Sequence, residues 1–358
     1  AAYEWNMGQF TSDGVRAEGT FTGQLSDDLA SEFADYINNA GLTDTNGNTL
    51  TLEKSDSGIY QAGSYYDYIL SLINTSLNNF LSDTTFPYTA ASQAQFPGGQ
   101  YNNTGAGAES ENAAGNMQGK LPDGISADGM QGRPAGGQGQ AGMNTGTESG
   151  TTYETVQDYI DSLNSDTEWV KYDAATNTAS VASIEAFAEH CKNASKDIGA
   201  FDQTDRGQGE NTVFGDGSSA SVHFDSVIEN LLKQNETEYS SLDGWSETLI
   251  SDYEADDTYK DELGTDVQTR LDMYTPLYYL LASYDGYKTS SVAQYWRIRT
   301  GIEQSDTALT TEANLALALQ NYDGVRDVDF ATVWGMQQTE AGRTGNSTSN
   351  FTDWVKWC

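Results

Sequence analysis

The chain has little positive charge and almost no histidine. Its 17 Lys and Arg stand against 53 Asp and Glu, which gives a formal net charge of −36 at pH 7. Without a basic patch to neutralise phosphates, nucleic acids and anionic membranes are excluded as partners. The only histidines are His190 and His223, so few side chains are available as a general base near neutral pH.

Cysteine and long apolar runs are scarce as well. The two cysteines, Cys191 and Cys358, leave two alternatives open, a disulfide between them or two free thiols. Their surroundings lack zinc-ligand spacing, so we expect neither a metal site nor a cofactor. No run of about 18 apolar residues occurs, and we expect no membrane span. The acidic, Gly-, Asn- and Ser-rich composition suits an exported bacterial protein, extracellular or at the cell surface.

The sequence also has no Gly-x-Ser-x-Gly motif, the sharp turn that presents a nucleophilic serine in many hydrolases. The nearest stretch, residues 217–220 (GSSA), follows no strand pattern. We therefore interpret Ser218 and Ser219 as loop serines. The chain itself supplies no recognisable serine nucleophile.

Helical periodicity is clear in much of the first two thirds of the chain. Two long amphipathic helices are predicted, over 25–39 and 65–81. Shorter patterns predict three more helices, over 153–163, 179–191 and 222–232. The pair Asn46-Gly47 predicts a tight hairpin.

Residues 93–150 differ from the rest of the chain. Gly, Gln, Asn, Ala and Met dominate, and β-branched and aromatic residues are nearly absent. Such a segment cannot offset the entropy of ordering itself through local burial. It is either a disordered loop or a segment that is ordered only by contact with another surface.

The final part of the chain alternates between strand and helix patterns. A strand, a helix, a second strand and a last helix are predicted over 295–301, 310–320, 328–334 and 351–358. Asp306 follows the first of these strands. In an α/β-hydrolase this order places the triad carboxylate after the penultimate strand and the triad histidine after the last one. Here the loop after the last strand reads GMQQTE, without a histidine.

Two stretches, IRTGIEQSDTALTTEANLALAL and VWGMQQTEAGRTGNSTSNFTDWV, carry a family resemblance. They resemble the C-terminal end of the bacterial tannase and feruloyl-esterase-like α/β-hydrolases, whose pattern is R-T-G, D-T and W-G-x-G-H-T-x-A-E-R. The stretch 184–211 and the opening AAYEWNMGQF support it. The resemblance implies that Asp306 is the triad acid and that Gln338 occupies the histidine position. Gln338 can hold a hydroxyl group but cannot take its proton.

The resemblance also implies an architecture. Residues 1–265 would form a large, mostly helical cap, or lid, and residues 266–358 the C-terminal part of the hydrolase core, giving an α/β fold. Within the cap we expect substrate contacts from four side chains, Asp202, Arg206, Glu210 and His223. His190, on a cap helix, is interpreted as structural.

Only about two strands of a sheet that has roughly eight in this fold are predicted here. Parallel strands need covered faces and paired edges. We therefore expect the rest of the sheet on a companion N-terminal polypeptide, produced by cleavage before Ala1, unless the sequence is an incomplete part of a longer chain.

Three hypotheses follow. The first is a split ester hydrolase whose companion brings the serine, with weakened or relocated base function. The second is a catalytically dead hydrolase fold that binds phenolic or carbohydrate esters outside the cell. The third is an extracellular assembly in which residues 95–150 connect copies of the chain.

Overall fold

The computed structural model describes residues 19–90, 150–191, 212–214, 222–223, 225–304, 308–336 and 342–358. The chain divides into two compact units, of which Thr85–Glu154 is the smaller. In its described part, β1 (Tyr88–Thr89) pairs antiparallel with β2 (Thr152–Tyr153), and the rings of Tyr88 and Tyr153 stack. Nearly all of the segment 93–150 lies outside the described residues, so its state stays a prediction.

The larger unit contains helices, two small hairpins and one parallel strand pair. Its helices are α1 (Phe21–Ala40), α2 (Ser64–Asp83), α3 (Val156–Leu163), α4 (Ile184–Cys191), α5 (Ser226–Gln234), α6 (Glu236–Tyr239), α7 (Leu249–Asp257), α8 (Val267–Tyr274), α9 (Pro276–Leu280), α10 (Leu309–Gln320) and α11 (Ser347–Trp357). Its strands are β3 (Val170–Asp173), β4 (Thr178–Val181), β5 (Thr212–Phe214), β6 (Val222–His223), β7 (Tyr295–Gly301) and β8 (Asp327–Val333). No helix among these is long and apolar enough to cross a membrane.

The first helix packs against a cluster from α5, α6 and α7. Thr20 caps α1 by accepting a hydrogen bond from the Gly23 amide at 3.1 Å, and the left-handed Gly41 ends it. Its buried side chains meet those of the other three helices, and the cluster consists of Phe21, Leu25, Ile228, Leu231, Leu232, Tyr239, Leu249 and Tyr253. The predicted helix is confirmed and begins several residues earlier than its sequence pattern indicates.

Two predicted helices were partly wrong. The first three residues of 179–191 belong to β4 of the hairpin β3–β4, whose turn includes Asn177 at a φ of 52°. The first residues of 222–232 form β6, which pairs with β5. In both places β-branched and small residues at a strand end were counted into the following helix. The expected cap region thus contains hairpins as well as helices.

The C-terminal order of elements is confirmed. β7 and β8 run parallel and in register from Tyr295 beside Asp327 to Gly301 beside Val333, and α10 makes the crossover between them. α10 is lined by Ala and Leu and packs against both strands. α2 in turn packs against β8 and α10, where the Tyr65 hydroxyl donates to Asn314 Oδ1 at 2.7 Å.

Candidate active site at the carboxyl ends of the parallel strands

The loops after β7 and β8 begin at the same end of the strand pair, where both strands have their carboxyl ends. Because the strands are parallel and Gly301 lies beside Val333, the two loops begin next to each other. The Glu303 amide donates to the Met336 carbonyl at 3.0 Å, and Glu303 Oε1 accepts from the Gly335 amide at 3.0 Å. Main-chain and carboxylate bonds therefore tie the two loops together.

A buried polar cluster supports the first of these loops. Gln304 Nε2 donates to Glu312 Oε1 at 2.8 Å and also to the hydroxyl of Thr300. Thr300 and Gln304 are buried, and Glu312 lies on the first turn of α10. The cluster joins the end of β7 to α10, so it holds the start of the loop in which Asp306 stands.

Aromatic side chains hold the start of the second loop. Trp334, the first residue after β8, is buried and its indole N–H donates to the Tyr159 hydroxyl at 2.8 Å. Its ring lies 5.9 Å from that of Phe187 and 6.4 Å from that of Trp169. Helices α3 and α4, from the predicted cap region, thus contact the end of β8.

The face of the β7–β8 pair that lies opposite α10 carries charged side chains. Arg297 Nη1 and Arg299 Nη2 each lie 2.6 Å from Asp329 Oδ2. Asp329 stands beside Arg297 in the strand register, and Arg299 is two residues further along β7. This face therefore holds a shared ion pair where a parallel sheet usually presents apolar side chains.

The residues predicted to form the site are mostly outside the described part of the chain. Asp306 and Gln338 lie in the undescribed loop portions 305–307 and 337–341, and Asp202, Arg206 and Glu210 lie in 192–211. The backbone of His223 is described, and it pairs with Thr212. Their roles stay predictions. Of the predicted triad loops, the structure describes only their first residues, at the carboxyl ends of β7 and β8.

His190 has a structural environment, as expected. Its ring stacks on Trp169 with centroids 4.8 Å apart, and Nδ1 lies 2.8 Å from the Ala186 carbonyl. Cys191 and Cys358 are not joined by a disulfide, which favours the second of the two alternatives. Within the described ranges, acidic, His and Cys side chains form no group able to hold a metal ion.

Sequence reasoning missed the polar cluster and the charged face. The motif YWRIRTG places Arg297 and Arg299 two residues apart, and VDFATV places Asp329 on the neighbouring strand. Strand alternation would have put both arginines on one face. The cluster of Thr300, Gln304 and Glu312 left no comparable signal, because it depends on how α10 returns to β7.

The parallel pair with its crossover helix, flanked by helices and hairpins, is an α/β arrangement. The chain is similar to solved bacterial tannases along 99% of its length: Fusobacterium nucleatum tannase at 18% identity and a TM-score of 0.48, and Lactobacillus plantarum tannase at 17% and 0.46. A tannin acyl hydrolase in complex with ethyl gallate matches at 18% and 0.41. The chain spans about half the length of these proteins, 55%, 55% and 52% in that order. No family model and no curated protein matches the sequence.

Proposed function

We propose that the chain is the lid and C-terminal core portion of a tannase- or feruloyl-esterase-like carboxylic ester hydrolase. The observation that carries the proposal is the in-register parallel pair, whose adjacent strand ends begin the loops of Asp306 and Gln338. In the proposed arrangement Asp306 is the triad acid. Gln338 stands at the histidine position and gives activity that is impaired or depends on a companion segment.

The sheet supports the proposal that more polypeptide belongs to this fold. Among the described residues, β7 and β8 hydrogen-bond only to each other as strands, so each keeps one outer edge without a strand partner. Unpaired parallel strands are unstable in water, since their backbone groups and apolar faces need cover. We propose that a companion segment adds further strands and brings the serine nucleophile.

The chemistry sets what Gln338 can do. An amide side chain orients a hydroxyl by hydrogen bonds, but it has no titratable nitrogen and cannot act as a general base. A serine on the companion would then lack the group that removes its proton, and ester hydrolysis would be slow. We further propose that the substrates are phenolic or carbohydrate esters and that the protein acts outside the cell.

Activity-based labelling tests the proposal. A fluorophosphonate probe reacts with activated serines, so native material would be labelled and each polypeptide then identified by denaturing mass spectrometry. A labelled serine on a companion segment is the expected result. The absence of any companion would overturn the proposal of a shared sheet.

Substitution at position 338 tests the alignment. Gln338→His should raise esterase activity by about 10²-fold or more, the range of general-base catalysis. Asp306→Ala in that background should remove the gain, and Gln337→His serves as the matched control one residue away. No gain in a complex with an intact serine would contradict the assignment of Gln338.

The alternative function is a dead hydrolase fold used for binding. The replacement of the triad histidine by Gln338 favours it, because binding needs no base. Under this alternative, the companion segment takes up no fluorophosphonate label, and the complex binds a phenolic ester tightly without turnover. A third hypothesis, extracellular assembly through residues 95–150, would be supported by polymeric particles in native material.

A further inference from the structure

A cavity of about 250 Å³ opens on the charged face of the β7–β8 pair. Thr300 points to Glu312 on α10, so Arg297 and Arg299, at alternate positions, point to the other side. The lining residues are Asp83, Arg297, Arg299, Ala331, Gly342, Arg343, Thr344 and Asn350. Three of the chain's eight arginines therefore meet in one cavity of a protein with a net charge of −36.

The charges in this cavity do not balance. Arg297 and Arg299 share the single carboxylate of Asp329, and Arg343 is paired with Asp83 through two bonds of 2.9 Å. In the part of the chain that the structure describes, three guanidinium groups thus face two carboxylates. The side chains of Arg297 and Arg299 are only 17% and 12% exposed. A sheltered excess positive charge is unfavourable unless an anion accompanies it.

Three nitrogen donors lie close to Gly342, on the side where any other residue would carry a side chain. The position where any other residue would carry Cβ lies 3.2 Å from Asn350 Nδ2, 3.4 Å from Arg297 Nη2 and 3.8 Å from Arg299 Nε. Neither of these two arginine nitrogens donates to an acceptor in the part of the chain that is described. Asn350 Nδ2 gives one hydrogen to the Thr344 carbonyl and keeps a second.

We propose that this cavity binds a small oxyanion, a carboxylate or a phosphate, next to Gly342 and within reach of the arginine nitrogens. Guanidinium groups bind both chemistries through paired, charge-assisted hydrogen bonds. The cavity is smaller than the pockets of about 300–1,000 Å³ that hold drug-sized ligands, which favours a small anion. The proposal does not rest on the ester hydrolase function, because the site uses the sheet face and not the strand-end loops.

The test is an NMR titration of the arginine Nε–Hε signals of the 358-residue chain with acetate and, separately, with inorganic phosphate, at constant ionic strength. We expect saturable shifts of the Arg297 and Arg299 signals with at least one anion, and the anion that saturates identifies the class. Absence of saturation with both anions would overturn the proposal.

Two substitutions at Gly342 distinguish the effect of filling space beside the arginines from the effect of adding a negative charge there. Gly342→Ala places a methyl group among the three nitrogen donors without removing a charge, and should weaken binding about tenfold or more, equivalent to about 1.4 kcal/mol. Gly342→Glu supplies a tethered carboxylate to the same arginines, so it should abolish the response to added anion and raise the Tm. Unchanged anion affinity in the alanine variant would contradict binding of the anion next to Gly342.

Removing one arginine charge inside the cavity and one outside it provides the matched comparison. Arg297→Gln should weaken binding by about ten- to a hundredfold, the range of a hydrogen bond to a charged group. Arg326→Gln removes the same charge from an exposed residue just before β8 and should leave the affinity unchanged. Equal losses in the two variants would mean that general charge attraction, and no built site, explains the shifts.

Discussion

Helices α10 and α11 flank the same strand pair, yet they are stabilised in different ways. α10 buries Ala313, Ala316, Leu317 and Leu319 but begins at Ala308 without a side-chain cap. α11 buries none of its residues but begins with Asn346, whose side chain accepts from the Ser349 amide at 2.9 Å. Packing thus stabilises one helix, and local hydrogen bonds stabilise the other.

The difference shows which side of the β7–β8 pair is covered by packed helices of this chain. α11 presents Phe351, Val355 and Trp357 to solvent, with Trp357 63% exposed, and the indole N–H of Trp354 is buried without an acceptor among the described residues. An amphipathic helix with an uncovered apolar face gains little from tertiary burial. The α10 side is packed by helices of this chain, whereas the exposed apolar face of α11 would be a contact surface for the companion segment proposed above.

The largest effect is expected from the packed helix. Leu317→Ala deletes a side chain that is 1% exposed, and it should lower the free energy of unfolding by about 2–5 kcal/mol through lost burial and a residual cavity. Urea denaturation of the isolated chain measures it.

Val355→Ala on α11 is the matched comparison. Val355 is 50% exposed, so its truncation should change the free energy of unfolding by no more than about 0.5 kcal/mol. Similar losses at both positions would mean that α11 is packed in solution and would remove the contrast between the two helices.

The next effect concerns the contact between α2 and α10. Tyr65→Phe deletes the hydroxyl that donates to Asn314 Oδ1 and leaves this buried oxygen without that donor. We expect a loss of about 1–3 kcal/mol in the same denaturation experiment. Tyr60→Phe, at a less buried hydroxyl bonded to Ser31, is the control and should cost less.

These contrasts also show what the sequence can predict. The bounds of α2 and β7 follow from an apolar stripe and from an alternation, and those of α10 and β8 follow from a run of helix-forming residues and from a β-branched run. The exposure of α11 does not follow, since residues 351–358 read as an apolar helix whether or not a surface covers them. The buried polar cluster of Thr300, Gln304 and Glu312 does not follow from the sequence either, because Glu312 reaches Thr300 only once α10 has folded back on β7.

A smaller and local effect is expected at the cap of α11. Asn346→Ala removes the acceptor for the Ser349 amide and should destabilise this helix by about 0.5–2 kcal/mol. Since α11 is little packed, hydrogen exchange should accelerate within α11 alone while the midpoint of global unfolding hardly moves. A clear global shift would show that α11 folds cooperatively with the sheet.

The smallest effect is expected beyond the end of α10, where Lys288 Nζ lies 2.8 Å from Asp323 Oδ2 on the surface. The hydrogen bond from Lys288 lowers the pKa of Asp323 below its ordinary value. Because the pKa is lower in the folded state, this pair contributes stability above the unfolded pKa of about 3.9, and the contribution is lost as pH falls through the folded pKa.

Lys288→Gln should therefore lower the Tm slightly at pH 7, and the difference from the parent chain should vanish in acid. Exposed ion pairs are weak and are screened by salt, so the difference should also shrink at high ionic strength. A difference that persists in acid would mean that Lys288 acts through packing on Tyr287, whose ring centroid lies 5.1 Å from its Nζ, and that the surface near α10 is held by contacts other than charge.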